Sequence, residues 1–298
     1  MGYEELWRRL TPLYDAGEAK AIVRLVLDEC YGLSWADVLG GKVSELSAND
    51  QTELEKIMLR LEKGEPVQYV IGVADFCGRQ FHVEPGVLIP RPETEELCRW
   101  ILASDKHGQT RTVREIPSQE GQSPLCEILD IGTGSGCIAI TLALELPDAK
   151  VTAWDISDDA LRIASANAKA LSASVNFQHH DALDSSLFTL HSSLPKWDLI
   201  VSNPPYICRK EADGMDKNVL GYEPHEALFV PDDDPLLFYR AIARYATLVL
   251  KPNGNLFFEI NPLYADDLTQ LLGEMLCYNA EILNDQFGKP RFLKATKI

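Results

Sequence analysis

Glu127-Ile128-Leu129-Asp130-Ile131-Gly132-Thr133-Gly134-Ser135-Gly136 changes character halfway along. Its first part is short, apolar and partly β-branched, the composition of a buried strand. Three glycines then alternate with small hydroxyl residues, and Cys137 to Glu145 follows as a nearly all-apolar helical run. Strand, glycine loop and helix in that order form the opening unit of an α/β domain. Glycine lets the backbone take positive φ and approach a ligand closely, and the helix start offers unpaired N–H groups. Gly134-Ser135-Gly136-Cys137-Ile138-Ala139 also fits the G-x-G-x-x-A phosphate-binding pattern, with Asp155 about 20 residues on, so a dinucleotide site stays open at this point.

The same alternation continues downstream. Lys150 to Asp155 and Val175 to His179 read as strands, separated by a helix from Asp158 to Leu171. Trp197 to Ser202 is a further strand. Then come a helix from Asp234 to Leu250, a strand from Asn255 to Ile260, and a helix from Leu263 to Leu276. Ala280 to Asn284 and Arg291 to Thr296 close the chain as an expected antiparallel pair. This predicts an α/β fold with a mostly parallel sheet. Ligands in such sheets sit beyond the carboxyl ends of the strands, where Asp130, Asp155, Asp181 and Asn203 all fall.

Upstream the pattern differs. Ala16 to Cys30 and Asn49 to Lys63 are amphipathic at helical spacing, and Ser34-Trp35-Ala36-Asp37 has the form of a helix opening. Residues 1 to about 65 therefore predict a small helical bundle. Val67 to Gly72 and Phe76 to Val83 read as the arms of a hairpin linking two domains. Val87-Leu88-Ile89-Pro90-Arg91-Pro92-Glu93-Thr94-Glu95 sets a proline-flanked arginine before a helix from Glu93 to Ala103. Ser104 to Pro124 is polar and aperiodic, and predicts a long surface loop.

Composition narrows the function classes. Among 298 residues, 28 Lys and Arg stand against 45 Asp and Glu, a formal charge of -17. That balance disfavours tight, sequence-independent nucleic-acid binding. Seven cysteines without a C-x-x-C pair predict small buried hydrophobes in a reducing compartment. No metal site is expected, because the adjacent His179 and His180 would point to opposite faces of a strand. The first ten residues do not read as a signal peptide, and no apolar run approaches the ~20 residues of a membrane span. The expected location is the cytoplasm, and nothing in the sequence calls for more than a monomer.

The chemistry gathers at Asn203-Pro204-Pro205-Tyr206, directly after a strand. The prolines cannot extend a ladder, so a stiff strand end presents one amide, several carbonyls and an aromatic ring. Alone, this is equally a proline-rich turn. Each acid alone is more simply a helix cap or turn residue. Taken together, Asp130 can pair with an ammonium, Asp155 can accept from both hydroxyls of a ribose, and Asp181 can accept from an adenine amine. These three acids and the glycine loop describe S-adenosylmethionine. If the Asn203 side-chain oxygen and the Pro204 carbonyl each accept one N–H of an amide, its nitrogen is held toward the methyl donor, and transfer rests on positioning. Tyr206 is expected to pack against the planar group.

Asp130 to Gly136, Trp154-Asp155 and Asn203 to Tyr206, with V-L-I-P-R-P-E-T-E upstream, resemble the PrmC/HemK family of glutamine methyltransferases. Gln68 to Gly72, Phe76 to Val83, Gly221 to Leu228 and Gly288 to Phe292 are also similar to it, so the likeness covers most of residues 66 to 298. The resemblance implies a Rossmann-like class I methyltransferase domain over 91–298, with seven strands, a helical substrate-recognition domain over 1–65 and a hairpin linker over 66–90. It implies methylation at N5 of the glutamine in the Gly-Gly-Gln motif of class I peptide chain release factors, with S-adenosylhomocysteine as product. Gly132, Thr133, Gly134, Ser135, Gly136 and Asp155 would contact the donor, and Asn203 would touch both donor and glutamine. Ala182 stands where relatives often carry an aromatic residue against the adenine. Arg91 and Glu93 would wall the glutamine pocket or form a rigid hinge, and Glu223 and Glu259 would order the substrate loop. Competing readings are a ribosomal-protein glutamine methyltransferase, an adenine-N6 methyltransferase, a nicotinamide-dependent oxidoreductase, and a protein that binds the donor without turnover.

Overall fold

Helix-forming and strand-forming segments alternate much as the periodicity requires. The computed structural model describes residues 2–106, 126–188, 195–275 and 278–298. The expected surface loop lies outside these residues from 107 onward, as does Cys277. In chain order, α1 (Tyr3–Leu10), α2 (Ala16–Tyr31), α3 (Trp35–Leu39), α4 (Ala48–Leu61) and α5 (Val67–Ile71) precede a hairpin of β1 (Val73–Phe76) and β2 (Arg79–His82). Next come α6 (Pro92–Lys106), β3 (Cys126–Ile131), α7 (Cys137–Glu145), β4 (Ala149–Asp155), α8 (Asp158–Ala170), β5 (Val175–His179) and β6 (Trp197–Ser202). A small pair, β7 (Ile207–Cys208) and β8 (Phe229–Val230), brackets α9 (Lys217–Tyr222) and α10 (His225–Leu228). The chain ends with α11 (Leu237–Val249), β9 (Leu250–Glu259), α12 (Ala265–Glu274), β10 (Tyr278–Asn284) and β11 (Pro290–Lys297).

Two compact units result. The first comprises Met1–Val73, Val83–Pro85 and Met215–Glu223, and the second Ala74–His82, Gly86–Gly214 and Pro224–Ile298. In the first, Leu6 and Leu10 of α1, Val23, Val26 and Leu27 of α2, and Leu54, Met58 and Leu61 of α4 form one buried cluster. Each such side chain contributes about 1.5–3 kcal/mol. Arg9 holds α1 to α4 through Glu55 at 2.7 Å and Glu62 at 2.5 Å. The hydroxyl of Ser34 caps α3 as its sequence predicts, with Asp37 returning the bond.

One expectation fails here. Val67 to Ile71 is a helical turn, not a hairpin strand. Pro66 precedes it with φ -54°, and Gly72 at φ +81° closes it by donating to the Gln68 carbonyl at 2.7 Å. A proline start and a left-handed glycine stop outweigh the β-branched alternation between them. The hairpin instead turns at Cys77-Gly78, both at positive φ.

In the second unit the sheet order is β10-β11-β9-β6-β3-β4-β5. β3, β4, β5, β6 and β9 pair in parallel, and β11 runs against both β9 and β10. The seven-stranded, mostly parallel sheet is thus as expected. Successive residues serve opposite faces: Leu129, Ile200 and Phe258 pack with α11 and α12, whereas Ile128, Leu199, Val201 and Phe257 pack with α6 and α7. With both faces covered, the central strands β3, β6 and β9 read as largely apolar runs, whereas β5 at the edge alternates.

Candidate active site

The chain lays β3, β4 and β5 outward in one direction, then returns to place β6 on the other side of β3. The crevice this reversal opens lies at the carboxyl ends of β3 and β6. Ser202 at the end of β6 donates to the Ile131 carbonyl at 2.7 Å and pins the two strand ends together.

The glycine loop is shaped by backbone bonds. The Gly132 and Thr133 amides both donate to the Trp154 carbonyl at 2.9 Å, and the Gly134 amide donates to Asp155 Oδ2 at 2.9 Å. Asn167 of α8 accepts from the His82 amide at 2.8 Å and donates to the Ser135 carbonyl at 2.9 Å, which ties β2 to the loop. Gly136 starts α7 at φ +84°, where an added Cβ would lie 2.9 Å from Ile140 Cδ1 and 3.1 Å from Ala164 Cβ. It is a packing residue and does not line the cavity.

Asp130 is fully buried below this loop. Thr133 donates to its Oδ2 at 2.7 Å, and the Ala139 backbone also favours its charged form. Burial pushes its carboxyl up to about 7, against the pull of the Thr133 hydroxyl. Asp155 is also raised by burial, with both oxygens engaged: Oδ1 accepts from the Ser157 amide at 2.9 Å. Asp181 Oδ1 accepts from the Leu183 amide at 2.8 Å. Asp155 and Asp181 therefore do hold turns, and both also face the cavity.

That cavity has a volume of about 290 Å³. Its floor is Gly132 to Ser135, and one end carries Asp155, Ile156, His180, Asp181 and Ala182, with Phe238 and Ile242 of α11 as apolar wall. The His180 ring lies 4.4 Å from that of Trp154. The other end carries Arg91, Thr94, Asn203, Pro204 and Pro205. The Ser135 side chain is buried beneath this lining. Asp130, Gly136, Glu93 and Tyr206 are off the wall.

Tyr206 turns away from the cavity. Its hydroxyl donates to Glu259 Oε1 at 3.0 Å, and its carbonyl accepts from Asn261 Nδ2 at 3.0 Å. Glu259, at the end of β9, is buried and raised from the ordinary carboxylate range chiefly by that burial; Glu93 adds to the rise, whereas Thr94, Tyr206 and Arg291 oppose it. The Thr94 hydroxyl donates to Glu259 Oε2 at 2.7 Å, and Asn203 Nδ2 donates to Thr94 Oγ1 at 3.2 Å. Thr94 lies inside the V-L-I-P-R-P-E-T-E run, where its neighbours Arg91 and Glu93 draw the attention, and Asn167 carries no motif. Asn167 is signalled only as the one polar residue on the apolar stripe of α8. Among the described residues no group of three or more His, Cys, Asp or Glu is placed to hold a metal ion. The expectation of uniformly buried cysteines needs correction, since Cys30 is exposed and Cys77 and Cys126 half-buried.

A doubly covered parallel sheet, a glycine loop backed by an acid on the neighbouring strand, and an Asn-Pro-Pro end in one cavity define a Rossmann-like methyltransferase. The likeness extends to a T. thermophilus 16S rRNA methyltransferase solved with AdoMet and guanosine, at a TM-score of 0.50 and 20% identity, covering 76% of this chain and 50% of that one. In sequence, the PrmC N-terminal domain matches residues 8–72 and the methyltransferase small domain residues 114–219. Release factor glutamine methyltransferases of Bacteroides thetaiotaomicron and Flavobacterium psychrophilum are 45% and 38% identical, covering 97% and 96% of this chain and 96% and 94% of theirs. The chain belongs to the PrmC/HemK family of release factor glutamine methyltransferases.

Proposed function

We propose that the cavity binds S-adenosylmethionine beside the glutamine of the Gly-Gly-Gln motif of a class I peptide chain release factor, and that the side-chain amide nitrogen, N5, is methylated there. The observation that carries this reading is that one continuous cavity joins the Gly132–Ser135 and Asp155 wall to Asn203, Pro204 and Pro205. Asp155 and Asp181 have lone pairs for ribose hydroxyls and an adenine amine. Ile156 and Phe238 suit the purine faces. Asp130 acts one layer below, through Thr133 and by its field.

When bound, the donor supplies an electrophilic methyl group on a sulfonium. The protein's part is to present the nucleophile. An amide nitrogen is weakly nucleophilic because its lone pair is delocalised. Holding both N–H groups, one on Asn203 Oδ1 and one on the Pro204 carbonyl, leaves the nitrogen facing the donor, and such positioning contributes on the order of several kcal/mol. The nitrogen becomes acidic as it gains the methyl, so its proton leaves without a strong base. S-adenosylhomocysteine is the other product, and no metal takes part. Arg91 lines the acceptor end. The enzyme acts as a cytoplasmic monomer, and its charge of -17 favours a basic surface around the target loop. No helix of the described chain is long and apolar enough to cross a membrane.

The test is transfer of a labelled methyl group from S-adenosylmethionine to a purified class I release factor, with Gln→Asn in its Gly-Gly-Gln loop as control. Label on the native factor alone is expected. Donor binding without label on the factor would redirect the search to ribosomal proteins and then nucleic acid, and absence of both would overturn the reading.

A further inference from the structure

We propose that Thr94 and Glu259 are positioning residues for the transfer step, which fix the Asn203 side chain with its carbonyl oxygen, not its nitrogen, toward the acceptor amide. The proposal rests on the function given above, but the orientation itself can be observed without turnover.

Thr94 has a single hydroxyl proton, and its oxygen lies 2.7 Å from Glu259 Oε2 and 3.2 Å from the Asn203 amide. An ionised carboxylate can only accept. The Thr94 proton therefore goes to Glu259, and the Thr94 oxygen has only lone pairs to offer Asn203. Only the NH₂ end of the Asn203 amide can meet a lone pair. Turning that amide over would set two acceptor oxygens against each other, so Oδ1 is left for the cavity. The second carboxylate oxygen is taken by the Tyr206 hydroxyl at 3.0 Å, and the Tyr206 carbonyl is held by Asn261. The carboxylate cannot rotate away from Thr94 without breaking a bond to the same Asn-Pro-Pro-Tyr segment it serves.

Orientation matters because the acceptor amide offers two N–H groups and one lone pair. An Oδ1 facing it takes an N–H and leaves the lone pair free. An NH₂ facing it would compete for that lone pair and push the nitrogen out of line. The device depends on the charge of Glu259. The groups facing its carboxylate are the hydroxyls of Thr94 and Tyr206, Arg291 of β11, which favours ionisation, and Glu93 of α6, which opposes it. Once Glu259 is protonated it can donate to Thr94, Thr94 can donate to Asn203, and the amide is free to turn.

The test compares Thr94→Val, which keeps the shape and removes the proton, with Thr94→Ser, which restores the hydroxyl, and with Glu259→Gln. Methyl transfer and donor binding are measured on the full chain. Thr94→Val and Glu259→Gln are expected to lower kcat roughly ten- to a hundred-fold, with the KM for the release factor and the donor Kd within about three-fold of the parent. Thr94→Ser should recover most of the loss, and the acid limb of the kcat profile should disappear in Glu259→Gln. Near-parental kcat in both Thr94→Val and Glu259→Gln would overturn the proposal, as would equal losses in Thr94→Ser and Thr94→Val. If the parent enzyme transfers no methyl group to a release factor, the functional reading fails first. The orientation is then decided by NMR of the Asn203 side-chain amide, whose protons should show contacts to the Thr94 side chain that acidification abolishes. Their absence at neutral pH would overturn the relay.

Discussion

The Gly134 amide donates to Asp155 Oδ2 at 2.9 Å, so the carboxylate that ends β4 holds the loop that follows β3. Gly134 sits there at φ +55°, and the other Asp155 oxygen is fixed by the Ser157 amide. One side chain thus shapes the floor of the cavity and also lines it, where the proposed function has it accept from a ribose. Asp155→Ala should weaken S-adenosylmethionine binding by roughly 30- to 100-fold, the scale of one or two charge-assisted hydrogen bonds. Calorimetric titration checks this, and an unchanged Kd would remove Asp155 from the donor site.

Asn203→Ala separates binding from chemistry. The donor end of the cavity keeps all its groups, so Kd should stay within about three-fold. kcat should fall on the order of a hundred-fold or more, because the acceptor amide loses an aligning partner. Single-turnover transfer resolves the two effects.

Gly136→Ala tests packing rather than chemistry. Its Cβ would meet Ile140 Cδ1 at 2.9 Å and the Ala164 backbone Cα at 3.3 Å, in a conformation with φ +84°. Flexible Ile140 can move, but the α8 backbone cannot move cheaply. A loss of about 2–4 kcal/mol is expected from overpacking and left-handed strain together. Denaturant unfolding measures it directly.

Burial holds the Asp130 carboxyl up to about 7, above its ordinary 3.8. The folded state therefore keeps a proton that the unfolded chain releases between these values. Stability present at low pH is lost as pH rises from ~4 to ~7, by an amount approaching ~4 kcal/mol. Unfolding curves of the parent and Asp130→Asn, taken at pH 4 and pH 8, should reveal it. The stability of the parent relative to Asp130→Asn should fall at the higher pH. A pH-independent difference would refute it.

Much of the catalytic unit is legible in the sequence because its signals are local. β3, α7, β5 and β6 have the bounds their periodicity predicts, with the buried β3 and β6 written as largely apolar runs and the edge strand β5 alternating. The strand-end acids follow from the same reading. What escapes it is distance and direction. Thr94 and Glu259 lie 165 positions apart and meet in one bond. Tyr206 reads as an aromatic ring that packs against the planar substrate group, yet its hydroxyl finds a buried carboxylate that only the sheet order brings near. β9 starts at Leu250, five residues before its apolar run, because Pro252-Asn253-Gly254 reads as a turn while the sheet pairs Leu250 with Trp197. Val67 to Ile71 shows that five residues are too few for periodicity to tell helix from strand without their flanks.

The chain leaves the second unit after Gly214 and returns at Pro224, so Met215–Glu223 belongs to the helical unit despite its place in the sequence. Tyr222 of that segment donates to the Lys63 carbonyl at 3.1 Å. No single cut can part the two units cleanly: severing the chain near residue 85 would strip the helical unit of α9 and leave α9 as an internal loop of the other fragment, without its partners. Modular exchange is barred in the same way. Transplanting residues 1–73 alone onto a related catalytic unit would hand over an unfinished helical unit, so a working chimera must carry all three of its segments. Any change of target by recombination would need at least three crossovers inside one gene, whereas drift at α9 alone can alter the helical unit from within the catalytic half of the chain.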